Sequence, residues 1–259
     1  MSAGVPFDDR GLLLGDGLFE TVLVRQGQPV WWEGHLGRLT RGCDVLGLPP
    51  PEPQTTWRAA EAALAEAGLQ GARAALRLTW TAGSGGRGLE RPAAPVPRLI
   101  VTAAPAPKPE GPARLILART RRNDGSVTSR LKTLAYLDNV LARREAVAAG
   151  ADEALMLNSR GEVACASAAN LFWLSGGRIY TPALECGVLE GLARQAVIAA
   201  AQRMGGPVRE VRVRPEELKD ADAIFLTNSL IGVRPVSALA GEPCRTGPLV
   251  EELARALGV

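Results

Sequence analysis

Residues 18–32, LFETVLVRQGQPVWW, carry β-branched and aromatic side chains on both sides of Gln26-Gly27-Gln28, the pattern of a hairpin. The period then changes. Leu36, Leu39, Cys43 and Leu46 recur at helical spacing over 33–47, and Gly47 with Pro49-Pro50-Pro51 ends that helix. TWRAAEAALAEAGL predicts a second helix, and ARAALRLTWT and PRLIVTAA predict strands. Proline-rich, aperiodic residues 105–112 read as a linker, dividing an N-terminal α+β domain, 1–104, from a C-terminal one, 113–259.

Past the linker, ARLILA predicts a strand and 133–149 a helix. A meander follows: EALMLN, a turn at Ser159-Arg160-Gly161, EVACAS, NLFWL, a turn at Ser175-Gly176-Gly177, and RIYTP. A helix over about 191–204, strands near 208–213, 223–227 and 233–237, and a C-terminal helix complete the pattern. Strands grouped together rather than alternating strictly with helices predict an α+β fold of two domains, not a doubly wound sheet.

Composition removes several function classes. A net charge of +3 without interleaved aromatics argues against a nucleic-acid surface, and the basic run Arg119-Thr120-Arg121-Arg122 reads as a solvated loop. Four scattered cysteines with no Cys-x-x-Cys pair argue against structural zinc and against a disulfide framework. No apolar run approaches the roughly 20 residues that span a bilayer, and MSAGVPFDDRG lacks a basic-then-apolar leader pattern; the expectation is a cytoplasmic protein with no membrane partner. The single histidine, His35, excludes a multi-histidine metal site and reads as a half-buried structural residue. Chemistry is left to lysine, arginine, carboxylates, hydroxyls or a borrowed cofactor.

Lysine is the rarer choice here. Of 30 basic residues only Lys108, Lys132 and Lys219 are lysines; the other 27 are arginines. Lys108 lies in the linker and Lys219 in a charged run, whereas Lys132 sits between Leu131 and Thr133 at the start of the apolar helix predicted over 133–149. A lysine amine can lose its proton and attack a carbonyl; a guanidinium cannot. Lys132 is therefore a candidate imine-forming residue, and the alternative is a lysine whose stem packs while its head is solvated. Parts of an anion site accompany it. A helix opening at Gly191 turns the amides of Leu192 and Ala193 outward at its positive end. Thr227, Asn228 and Ser229 follow a buried strand, and Arg38 lies one turn after His35 on the same helical face.

Five segments, in order, make the chain resemble the fold-type IV, or class IV, pyridoxal-phosphate enzymes. These are DRGLLLGDGLFET (9–21), HLGRL (35–39), LKTLAYLDNVLARREA (131–146), AANLFW (168–173) and YTPALECGVLEGLAR (180–194). The resemblance implies pyridoxal 5'-phosphate as cofactor, Lys132 as its imine lysine and Arg38 on its phosphate. It also implies cofactor contacts at Cys165, Asn170, Leu192, Ala193, Asn228 and Ser229, no metal, and a homodimer. AANLFW and TNSLIGVRPV (227–236) look more like 4-amino-4-deoxychorismate lyase than like the aminotransferases. AGSGGRGL (82–89) is similar to a substrate-side loop of that lyase, with Ala82 and Leu89 departing from its arginine and tyrosine. It keeps Arg87 as a carboxylate binder.

The largest departure concerns the cofactor ring. Five residues before the asparagine of NLF the family has a glutamate that pairs with the pyridine nitrogen; here that position is Cys165. Glu162, three residues earlier, faces the opposite way in a regular strand unless a bulge intervenes. Ala193 likewise stands where relatives often have a threonine. The resemblance implies a lyase acting on a small amine that carries carboxylates, releasing pyruvate and 4-aminobenzoate, the route of folate precursor synthesis. The alternatives are a class IV aminotransferase for D-amino or branched-chain amino acids, or a catalytically weakened cofactor-binding relative.

Overall fold

A computed structural model describes residues 4–259; residues 1–3 of the opening segment lie outside the described residues. Contacts divide the chain into two units. One comprises residues up to Pro107 together with Leu131–Ala135, and the other comprises Lys108–Arg130 with Tyr136–Val259.

In the first unit, α1 (Arg10–Leu14), unforeseen in the sequence, is capped by Asp9, whose side chain accepts from the Gly11 amide. β1 (Gly17–Arg25) turns at Gln26 and Gly27, both at positive φ, into the two-residue β2 (Gln28–Pro29). The hairpin exists, but its second arm stops at Pro29, and Trp32 already begins α2 (Trp32–Leu46). α3 (Pro53–Glu66) starts on a Glu52 cap with Pro53 at its first position. β3 (Ala74–Thr81) and β4 (Arg98–Pro105) complete an antiparallel sheet of order β2-β1-β3-β4. Val22 and Val24 on one face of β1 pack with Leu36, Ala60 and Leu64 from the two helices.

The lysine-bearing segment belongs to this unit and bridges its sheet. Residue 133 is not yet helical: α4 (Leu137–Ala148) begins four residues later than its periodicity predicts. Instead Thr133 bridges Leu18, the Phe19 amide donates to the Lys132 carbonyl at 2.8 Å, and the Leu134 amide donates to Gly17 at 3.0 Å. β2 pairs only with Val24 and Arg25, so the start of β1 has an edge for this segment to fill. Leu131 packs on Leu18 and Leu39. Non-local backbone pairing has overridden local helical pattern.

In the second unit, β5 (Ala113–Leu117) precedes α4, and β6 (Glu153–Leu157), β7 (Val163–Ala166), β8 (Asn170–Ser175) and β9 (Arg178–Pro182) form the meander. α5 (Leu192–Arg203), β10 (Val208–Val211), β11 (Ala223–Asn228), β12 (Gly232–Leu239), β13 (Glu242–Pro243) and α6 (Pro248–Leu257) follow. Nine strands form one mixed sheet of order β10-β9-β8-β11-β12-β5-β6-β7, with β13 beside β12. LFWL (171–174) and AIFL (223–226) are apolar at every position because both faces are covered. Leu171, Trp173, Ile224 and Leu226 enter one cluster, while Phe172 and Phe225 stack at 5.1 Å in another with α5 and α6.

Two expectations change in this unit. The basic run is not uniformly solvated. Arg119 is open to solvent, but Arg122 is buried, donating to Asn139 Oδ1 at 2.8 Å, to the Gly187 carbonyl at 2.9 Å and to the Ser129 carbonyl. β7 also carries the bulge that a regular strand lacks. Cys165 pairs with Met156 but Val163 with Leu157, leaving Ala164 as the extra residue. Among the described residues no helix is long and apolar enough to cross a membrane, and no group of three His, Cys, Asp or Glu could hold a metal ion.

Candidate active site

In the first unit, the site is built on β1. Glu20 is the one acid in the apolar run LFETVLV, and it is buried at 1% exposure. Arg38 donates to it through two nitrogens, Nε to Oε1 at 2.8 Å and Nη2 to Oε2 at 2.6 Å. His35 Nδ1 lies 2.7 Å from the same Oε2. Burial pushes the Glu20 carboxyl up, but the hydrogen bonds and charges of Arg38 and His35 outweigh it and hold the group down at about 2. His35 is fully buried rather than half-buried. Burial also lowers its pKa, against the pull of Glu20, and the nearby charges of Arg38 and Lys132 lower it further. A neutral imidazole beside a carboxylate donates through Nδ1, which leaves Nε2 as a buried acceptor without a protein partner.

The neighbouring residue faces the other side of the strand. Phe19 carries two cations on its ring: the Lys132 Nζ at 4.2 Å from the centroid and the Arg77 guanidinium carbon at 3.9 Å. Lys132 is thus held at its backbone by β1 and at its head by Phe19. Arg87 is exposed in the loop after β3. That loop is not slack, because Arg10, itself buried, donates to the Leu89 and Glu90 carbonyls, each at 2.9 Å.

The second unit holds the remaining positions. Gly191 caps α5 with no side chain, so Leu192 and Ala193 open the helix as expected. Asn170 closes over that cap: its Nδ2 donates to the Leu189 carbonyl at 2.9 Å, and its Oδ1 lies where a Gly191 side chain would be. Thr227, paired with Asn170 across β8 and β11, has a fully buried hydroxyl with no protein partner. Asn228 is occupied structurally, accepting from the Leu230 and Ile231 amides and donating to Ala168, while Ser229 is half-exposed beside it.

Cys165 is buried, and burial pushes its thiol above the ordinary range even though Arg122 pulls it down. The bulge places Ala164 and Cys165 in one cluster with Cys186, and Glu162 also reaches Cys186. Glu162 therefore has access to that side, yet its carboxylate is taken by Arg212 at 2.9 Å, Asn158 at 2.7 Å and Arg160 at 3.2 Å. Burial raises its pKa and these partners bring it down to about 2. Sequence reasoning missed Glu20, Phe19 and Arg77. For Glu20 a signal was present, since a lone acid inside a buried strand demands a partner.

A family model described as Amino-transferase class IV matches residues 17–239. The chain is 29% identical to the aminodeoxychorismate lyase of Vibrio harveyi, over 91% of this chain and 88% of that one. Among solved structures, it is similar to the 4-amino-4-deoxychorismate lyase of Pseudomonas aeruginosa, with 35% identity, a TM-score of 0.88, and coverage of 99% and 95%. It is also similar to a branched-chain aminotransferase of Thermoproteus uzoniensis, with 26% identity, a TM-score of 0.90, and coverage of 99% and 91%. These solved relatives share the fold-type IV architecture, which is that of this chain.

Proposed function

Because the chain belongs to the amino-transferase class IV family, we propose that it is a pyridoxal-phosphate-dependent lyase. It would convert 4-amino-4-deoxychorismate to 4-aminobenzoate and pyruvate, as a cytoplasmic homodimer. The observation that carries this reading is the similarity to the two lyases, which runs over nearly the full length of both chains. The branched-chain aminotransferase likeness supports a second reading, amino transfer to a keto acid on the same lysine.

Each unit by itself supplies donors of the kind that one end of the cofactor takes. Lys132 supplies an amine, and the α5 start offers amides beside an orphaned Thr227 hydroxyl, a fit to an anionic phosphate. The third end departs, because Cys165 offers no carboxylate to the ring nitrogen and Glu162 is spent on arginines. In this reading Lys132 holds the cofactor covalently. Arg38, the amides of Leu192 and Ala193, and Ser229 hold its phosphate; Asn170 and Asn228 shape the surrounding backbone; Arg87 receives a substrate carboxylate. When bound, the cofactor supplies an electron-accepting ring conjugated to the amine-bearing carbon of the substrate.

The Lys132 amine would then act as the base that takes the proton from that carbon. Enolpyruvate would leave from the adjacent carbon with the electrons of the broken C–O bond and take up a proton to become pyruvate, and the ring left behind becomes aromatic. Aromatisation makes the step strongly downhill, so a weakened electron acceptor costs this reaction less than it costs amino transfer. Purified protein tests the reading. An absorbance band of lysine-linked cofactor should vanish in Lys132→Ala, and aminodeoxychorismate should yield 4-aminobenzoate with pyruvate. Keto-acid-dependent amino transfer in place of those products would select the second reading, and absence of any band would refute both.

A further inference from the structure

The buried acid on β1 has three donors and no solvent. Arg38 and His35 sit one helical turn apart on α2, so both reach the same carboxylate from one face. Oε1 accepts from Arg38 Nε, while Oε2 accepts from both Arg38 Nη2 and His35. A two-point contact between planar groups fixes the guanidinium in the plane of the carboxylate, and the third contact fixes the carboxylate against rotation. Every one of the three residues is largely buried, with Arg38 at 11% side-chain exposure, Glu20 at 1% and His35 at 0%. Free rotation of Arg38 about its long side chain, which would cost ordering entropy whenever it bound a ligand, is removed in advance.

We infer that Glu20 is a positioning residue: with His35 as its backstop, it presets the guanidinium of Arg38 for a phosphate, and so governs phosphate-selective affinity rather than cofactor attachment. This inference rests on the reading of Arg38 as a phosphate ligand given above. His35 serves it only as a neutral Nδ1–H donor. A second proton would set another cation against Arg38 and Lys132, both of which already act on that ring. The carboxylate lies on the α2 side of β1, bonded to Arg38 and His35, while Lys132 rests on Phe19, on the opposite side.

The test compares full-length wild type, Glu20→Gln, Glu20→Asp and Arg38→Ala for binding of pyridoxal 5'-phosphate and of pyridoxal, read by the lysine-linked absorbance band. A glutamine must turn its NH2 toward one of the three donors. The ratio of the two affinities should therefore fall roughly tenfold or more, the effect of one lost charge-assisted hydrogen bond. Pyridoxal binding itself should stay within about twofold of wild type, on the same basis. Glu20→Asp keeps the charge but is too short for both contacts of Arg38, so an intermediate ratio is expected, and it serves if the glutamine variant does not fold. A wild-type ratio in the Glu20 variants with a collapsed ratio in Arg38→Ala overturns the positioning role. Parallel loss of both ligands overturns it too, by making Glu20 merely structural. An unchanged ratio in Arg38→Ala instead refutes Arg38 as the phosphate ligand.

Discussion

Gly191→Ala isolates what the α5 cap requires. The glycine has φ −71 and ψ 141, a conformation any residue adopts, so backbone freedom is not why glycine stands there. Space is the reason. An added Cβ would lie 2.1 Å from Asn170 Oδ1 and 3.3 Å from its Cγ. A carbon–oxygen contact needs about 3.3 Å, so something must move by about 1 Å. Asn170 is 7% exposed and its amide is tied to the Leu189 carbonyl at 2.9 Å. Swinging it away breaks that bond and strands a buried amide, a combined cost of about 2–3 kcal/mol. For a domain of roughly 150 residues, that lowers the melting temperature by roughly 4–12 °C. Calorimetry on the cofactor-free protein measures it. Asn170→Ala placed in the Gly191→Ala background should restore part of the loss, with a coupling of about 1 kcal/mol or more. A melting point within about 1 °C of wild type, or no recovery in the double variant, would refute the steric account.

Two further outcomes are expected. Glu20 titrates at about 2 in the folded protein against an ordinary 4.5. Its contribution, on the order of 3 kcal/mol, is therefore complete above pH 4.5 and fades as pH falls towards 2. Unfolding free energies measured across that window should drop less steeply in Glu20→Gln than in wild type. Cys165→Glu returns a carboxylate beside the buried Arg122 cation. With cofactor bound, it should raise keto-acid-dependent amino transfer relative to pyruvate release, both followed in one coupled assay; an unchanged ratio would remove Cys165 from the ring-nitrogen position.

Much of the architecture was legible where a single period governs a segment. Leu36, Leu39 and Cys43 mark the buried face of α2, and the unbroken apolar runs of β8 and β11 mark strands covered on both faces. What escaped the sequence was non-local. Thr133 and Leu134 read as helix because their neighbours from Leu137 onward are helical, and nothing local reveals pairing with Gly17 and Leu18 more than a hundred residues earlier. Ala164 looks like any strand alanine, so the bulge that re-aims Glu162 and Cys165 is invisible until the register with β6 is known. Arg122 sits among exposed arginines in sequence, and only the convergence of Ser129, Asn139 and Gly187 distinguishes it. Among candidate site residues, Lys132 announced itself by chemical contrast with an arginine-rich chain. Its support on β1, Phe19, and the Glu20 that holds Arg38 were hidden in an ordinary strand.

The excursion of Leu131–Ala135 into the first unit has a consequence for how the chain is made. A ribosome delivers β1 through β4 by residue 105, but the edge of β1 at Gly17 and Phe19 stays unpaired until residue 134 has emerged. The first unit is thus finished by chain belonging to a later stretch, and the last segment it receives is the one that bears Lys132. Translation order itself delays the amine: a truncated product ending at Pro107 would carry an open sheet edge and no lysine to react.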